Sequence, residues 1–300
     1  MRNSNESSPR TATTSGNKMK RVLFLATVAV IALGLFTSCA ERRPEGYRPP
    51  MAKDPWAAYE ANWSGFSLIS GAYRVRFQYS DGQAVKLTAN MVVERGDRTR
   101  IDLSSDRGAE AIVILKPEII NLVNLRDRYY LDEANTSENA DRMVGLYLPP
   151  TEVSALLSGI GIRPESYDQL FTDPADGGGM MVSGFHASAD LRLNAYVDAY
   201  GRLRSLRFVD SITDEPVIAA RYLGFRLDGR TGAVWPGIVE IDLLRHGESV
   251  RFTASDVDLN PDGLDLKFIF TTRAHRDRLR LDDVPPGPPL LYRSAKEYVR

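Results

Sequence analysis

From Gly71 the chain falls into a period of two, and no other feature limits its fold as tightly. Tyr73, Val75, Phe77 and Tyr79 alternate with Arg74, Arg76 and Gln78, giving an extended strand one apolar face and one wet face. Asp81-Gly82 is a hairpin signal. Ala84 to Glu94 returns to a turn at Arg95-Gly96-Asp97. Thr99, Ile101 and Leu103 continue the meander, Ser104 to Gly108 turns, and Ala109 to Leu115 follows as an apolar strand. Pro117-Glu118 breaks that strand before shorter ones at Ile119–Asn124 and Tyr129–Leu131. The second half behaves alike. Met180–Phe185, Leu191–Tyr196, Leu203–Val209, Val217–Leu227, Gly237–Leu244, Ser249–Asn260 and Leu266–Phe270 are strand candidates. Asp198–Gly201, Asp228-Gly229, His246-Gly247 and Asp262-Gly263 mark turns between them. Many short strands between turn signals predict a sandwich or barrel. No fixed-period repeat argues for a propeller or solenoid.

Helical signals interrupt this pattern in two places. Asp54-Pro55 reads as an N-cap followed by a first-turn proline. Trp56, Tyr59 and Trp63 then share one helix face, which suits closure of a core or a lid over a cavity. In mid-chain, Asn139–Leu146 is short and amphipathic. Pro149-Pro150-Thr151-Glu152 opens a second helix that ends near Gly159, giving a helical insertion at about 137–160. Gly161 and Pro164 mark a loop, and Asp173 to Gly179 reads as a flexible turn-rich segment.

The N-terminus has its own logic. Lys18, Lys20 and Arg21 precede the apolar run Val22–Phe36, and the small residues Thr37 and Ser38 lead into Cys39. A basic cluster, a short apolar run and a small-residue cleavage site define a secretory signal. The run is short for a membrane span, which needs about 17–25 residues. Leu35-Phe36-Thr37-Ser38-Cys39 resembles the bacterial lipobox, with Phe36 where leucine is usual. Residues 1–38 are therefore expected to be a leader and signal peptide, with Met19 as the expected true start. Cys39 is the only cysteine in 300 residues, so no disulfide can form within the chain, and acylation is its expected use. Residues 39–53, rich in proline and charge, are expected to tether the lipid to a β domain over 54–281. A proline-rich tail is expected over 282–300. No Asp directly follows Cys39, where Ala40 and Glu41 stand, and by resemblance to lipoprotein sorting signals this implies the outer membrane, periplasmic face, over inner-membrane retention.

Composition narrows function. Residues 1–38 hold five basic residues and one acidic one, so their removal shifts the formal net charge from −1 to −5. An acidic domain with dispersed arginines is a poor match for nucleic acid. His186, His246 and His275 form no spaced metal set, and no cofactor is expected. No G-x-S-x-G elbow is present. Gly177-Gly178-Gly179 lacks the context of a phosphate loop, and Asp282-Asp283 sits in a polar tail. The expectation is a protein that is not an enzyme.

Taken in order, an aromatic helix, a meander, paired helices and a second long meander resemble the LolA/LolB-like lipoprotein carriers and related uncharacterised lipoproteins. The stretch Arg98–Ile162 carries most of the resemblance. Arg100-Ile101-Asp102-Leu103-Ser104-Ser105-Asp106-Arg107-Gly108 is similar to the family's strand–turn–strand, and Leu146-Tyr147-Leu148-Pro149-Pro150 with Leu156-Leu157-Ser158-Gly159 to its helix pair. Tyr222 and Trp235-Pro236-Gly237-Ile238 also fit. The resemblance implies a curved antiparallel sheet forming an unclosed barrel under short helices. It implies a cavity that accepts acyl chains or a lipoprotein cargo on the way to the outer membrane. The expected lining is Tyr73, Val75, Phe77, Ile101, Leu103, Ile112 and Ile114, with Leu156 and Leu157 from the helical cover. Where the LolB branch carries an exposed leucine in the β-turn, this chain has Arg107, the candidate membrane-facing residue. The alternative is a structural or assembly lipoprotein of the envelope with the same fold, its barrel filled by side chains.

Overall fold

The computed structural model describes residues 46–95, 98–261, 277–284 and 289–291. The expectations for the leader, Met19, Cys39, the Leu266–Phe270 strand and His275 lie outside them. A first meander runs through β1 (Leu68–Gln78), β2 (Ala84–Glu94), β3 (Arg98–Ser105), β4 (Gly108–Leu115), β5 (Ile119–Asn124) and β6 (Tyr129–Ala134). The second comprises β7 (Tyr167–Pro174), β8 (Met180–His186), β9 (Leu191–Val197), β10 (Leu203–Asp210), β11 (Pro216–Leu227), β12 (Val234–Leu243) and β13 (Glu248–Leu259). A two-residue strand, β14 (Asp277–Arg278), lies parallel to β6.

All fourteen strands form one sheet in the order β14-β6-β5-β4-β3-β2-β1-β13-β12-β11-β10-β9-β8-β7. The two meanders join where β1 pairs with β13, with Val75 opposite Phe252 and Phe77 opposite Val250. The sheet is antiparallel except at β14, and its end strands are not paired with each other. This is the unclosed barrel that the alternating pattern and the resemblance imply. Pro236 sits inside β12 yet breaks no ladder. It faces Phe225 of β11, while pairing to β13 begins only at Ile238, so the proline lies beyond the stretch where β13 needs a donor.

Among the described residues, three helices pack on the apolar side of the sheet. α1 (Pro55–Ser64) starts as expected: Asp54 accepts from the Ala57 N–H at 3.1 Å, and Pro55 fills the first position. Tyr59 and Trp63 are buried, and Asn62 clasps the Val234 backbone in both directions at 2.6 and 2.7 Å. α2 (Ser137–Val144) is capped by Thr136 and closed by Gly145 in the left-handed region. α3 (Pro150–Ser158) ends on Gly159, φ +78°. A Cβ at Gly159 would lie 2.3 Å from the Pro236 ring, so both its backbone angle and its close approach require glycine.

The described parts of the expected tether and tail pack against the domain. Tyr47 N–H bonds the Phe225 carbonyl, and the Tyr47 carbonyl accepts from Arg202 Nη1 at 2.6 Å. Arg202 is itself buried and ion-paired to Asp198 at 2.7 Å. Leu281 and Leu290 are buried in the core. Leu290, in the described part of the expected tail, carries apolar area into the interior.

Candidate functional site

Side chains on the inner side of β1, β3, β4, β12 and β13 meet α2, α3 and Leu291 around a small apolar cavity. Phe77, Ile101 and Leu103 form part of its sheet wall, with Ile241 and Phe252 from the second meander. Val144, Leu146, Val153 and Leu157 form its helical roof. Its volume is about 40 Å³. A cavity without polar walls stays dry even when a water would fit.

Of the expected lining, Phe77, Ile101, Leu103 and Leu157 border this space. Tyr73, Val75 and Leu156 are buried in the surrounding core. Ile112 and Ile114 are a correction. Ile101 pairs with Val113 and Thr99 with Leu115, and cross-strand partners share a face. Val113 and Leu115 therefore line the cavity, while Ile112 and Ile114 point to the other side of β4. The register of this pair shifts between Leu103 and Ser104. The run Ala111–Leu115 is apolar at every position, so no alternation reveals the face.

The roof is fastened by polar ties as well as by apolar area. Thr99 Oγ1 of β3 donates to Ser154 Oγ of α3 at 2.8 Å, both groups buried. Glu152, fully buried on α3, accepts from Tyr167 Oη at 3.1 Å. Its second oxygen lies 3.6 Å from His186 Nε2, beyond hydrogen-bond length. Tyr59 Oη donates to the Ile160 and Ile162 carbonyls at 2.6 and 2.9 Å and accepts the Ile162 N–H. Burial pushes the Tyr59, Tyr167 and Tyr222 hydroxyls well above the ordinary tyrosine range, and the nearby Glu152 charge adds to this.

At the other end of the roof, His246 Nε2 in the β12–β13 turn meets Asp141 Oδ1 of α2 at 2.7 Å. Arg245 approaches the same carboxylate at 4.0 Å and lies 4.0 Å over the Tyr147 ring. The hydrogen bond that Asp141 accepts holds the His246 imidazole above its usual range, against the opposing effect of burial. His246 reads in sequence only as part of a turn. Its partner is 105 residues away, and no local signal reports that. Arg107 lies exposed in the β3–β4 turn, where its N–H bonds Ser105 Oγ at 3.0 Å. Among the described residues no group of three or more His, Asp or Glu is placed to hold a metal. No described helix is long and apolar enough to cross a membrane.

No protein-family model and no curated protein matches this sequence. Solved structures do. A domain assigned to outer-membrane lipoprotein sorting from Vibrio parahaemolyticus superposes with a TM-score of 0.55 at 10% identity, covering 70% of this chain and 92% of its own. A DUF1329 family protein from Desulfovibrio piger gives 0.50 at 11% identity, covering 70% and 95%. A LolA superfamily protein from Nitrosomonas europaea is similar at 0.47 and 13% identity, covering 71% and 95%. At such identities the first two likenesses speak to fold alone, and the fold is LolA/LolB-like.

Proposed function

We propose that this chain is a lipid-anchored envelope protein, acylated at Cys39, that takes an acyl chain of a lipid or lipoprotein beneath α2 and α3 during transport to the outer membrane. The observation that carries this reading is the dry apolar space between the helical roof and the concave sheet. A LolA/LolB-like fold agrees with it, as does the lipoprotein-sorting assignment of the Vibrio neighbour.

Volume sets a condition on the mechanism. Ligand sites run to about 300–1,000 Å³, far above the 40 Å³ present here. Admitting a chain therefore requires the roof to lift from β3 and from the β12–β13 turn. That motion would break the Thr99–Ser154 and Asp141–His246 ties, while the incoming methylenes pack against the apolar walls that the roof had covered. The small resting volume also favours a second reading, an assembly lipoprotein of the same fold whose interior remains filled.

Mass spectrometry of lipids that copurify with the protein separates the two. The carrier reading expects an acyl species in near-stoichiometric amount, together with displacement of a bound fluorescent fatty acid. Leu157→Trp, which fills the cavity from the roof, is expected to abolish probe binding in a protein that still melts cooperatively. No copurifying lipid and no probe binding would leave the assembly reading. Arg107→Leu is expected to change association with liposomes, and unchanged binding would count against a membrane-facing role for this turn.

A further inference from the structure

On the face of β1, β2 and β13 opposite the apolar interior lies a solvent-open basin of about 570 Å³. Strand register sets Lys86 opposite Arg76, and Arg76 opposite Arg251. Three cations thus stand in one row across strands about 4.8 Å apart. Arg74 lies two residues along β1, about 7 Å away, between Thr88 and Thr253. Ser104 of β3 extends this second row.

Like charges directly opposite one another destabilise a sheet, and little here relieves them. Glu240 bonds Arg251 at 3.1 Å but divides itself with Arg221 at 3.2 Å. Among the described residues, Asp106 is the one carboxylate on the basin wall. Arg76 reaches Gln78 at 3.4 Å. Among the described residues, the Arg74 and Lys86 side chains have no hydrogen-bond or ion-pair partner. The whole chain carries 38 basic and 39 acidic residues, so this concentration is local and does not follow from a basic protein.

We propose that this basin binds the phosphate headgroups of an anionic lipid surface. Guanidinium forks match phosphate oxygens in pairs, and the flanking hydroxyls of Thr88, Thr253 and Ser104 supply further donors. The basin is broad and open, so a single soluble phosphate would keep much of its hydration there. A plane of headgroups instead offers several phosphates to the row at once. The exposed β3–β4 turn with Arg107 borders the basin through Ser105 and Asp106 and continues the same approach surface. The inference stands whether or not the interior takes a chain.

The test is co-sedimentation of the full-length protein with phosphatidylcholine vesicles, with and without phosphatidylglycerol. Neutral vesicles measure any contribution of the N-terminal anchor. The expected result is added binding to the anionic vesicles that disappears at high salt. Arg76→Gln with Lys86→Gln should weaken that added binding about 25-fold, at about fivefold per cation. Their melting temperature should stay level or rise, because a repulsive row has been relieved. Equal binding to both vesicle types, or undiminished anionic binding by a folded variant, would overturn the proposal. So would calorimetric binding of inorganic pyrophosphate without any preference for anionic vesicles, which would assign the basin to a soluble phosphate.

Discussion

Residue by residue, the polar ties divide into those that are satisfied and those that are not. Tyr59 makes three hydrogen bonds in the core, whereas the equally buried Tyr222 hydroxyl has no partner among the described residues. Tyr59→Phe is therefore expected to destabilise by about 1–3 kcal/mol, since it orphans buried backbone groups. Tyr222→Phe should be neutral or stabilising, and urea denaturation compares the two directly. His246 offers a titration. Its folded pKa is raised, so its contribution is complete below the ordinary value of about 6.5 and is lost as pH climbs through the raised one. Asp141→Asn should lower the imidazole pKa, with burial no longer opposed by the carboxylate, as read by NMR of the ring protons. Sequence reasoning reached the inner faces of β1 and β3 because Tyr73, Phe77, Ile101 and Leu103 alternate with polar neighbours. It failed at Ile112 and Ile114, where both faces of β4 are apolar and a register shift decides which side turns inward.

At the scale of elements, the roof helices are held at their ends and along one side. Gly159 closes α3 against Pro236 in a backbone conformation that L residues resist. Gly159→Ala should cost about 1–3 kcal/mol of stability, measurable by chemical denaturation, with the Pro236 ring adding to the strain. Thr99 and Ser154 couple α3 to β3. A double-mutant cycle with Thr99→Val and Ser154→Ala should return a coupling energy of about 0.5–3 kcal/mol, and additive losses would mean that the bond does not fasten the roof. Helix starts were readable because Asp54-Pro55 and Pro149-Pro150 are local signals. β7 was not. Tyr167–Pro174 contains Asp168, Asp173 and Pro174, lacks alternation, and takes strand form only through its ladder with β8. The same charges and proline protect it as an edge strand.

For the molecule as a whole, buried phenols set the alkaline limit. Tyr59, Tyr73, Tyr167 and Tyr222 all have hydroxyls pushed up by burial. Each favours the folded state only while protonated. Their contribution to stability should therefore hold up to about pH 10, where free tyrosine ionises, and fall above it as the unfolded chain releases protons that the folded chain retains. Circular dichroism melts across that range check the prediction, and a flat profile would contradict it. The architecture was legible because turn spacing and alternation are repeated many times. The size of the interior was not, since filling depends on how two meanders far apart in the chain interdigitate. The end strands of the sheet are not paired with each other. A hoop of strands can widen only by tearing a ladder, whereas a strip bent into a cuff can flex open between β7 and β14 with every inter-strand bond retained. On the reading proposed above, room for a guest can therefore come from movement of the open edges while the hydrogen-bonded fabric stays whole.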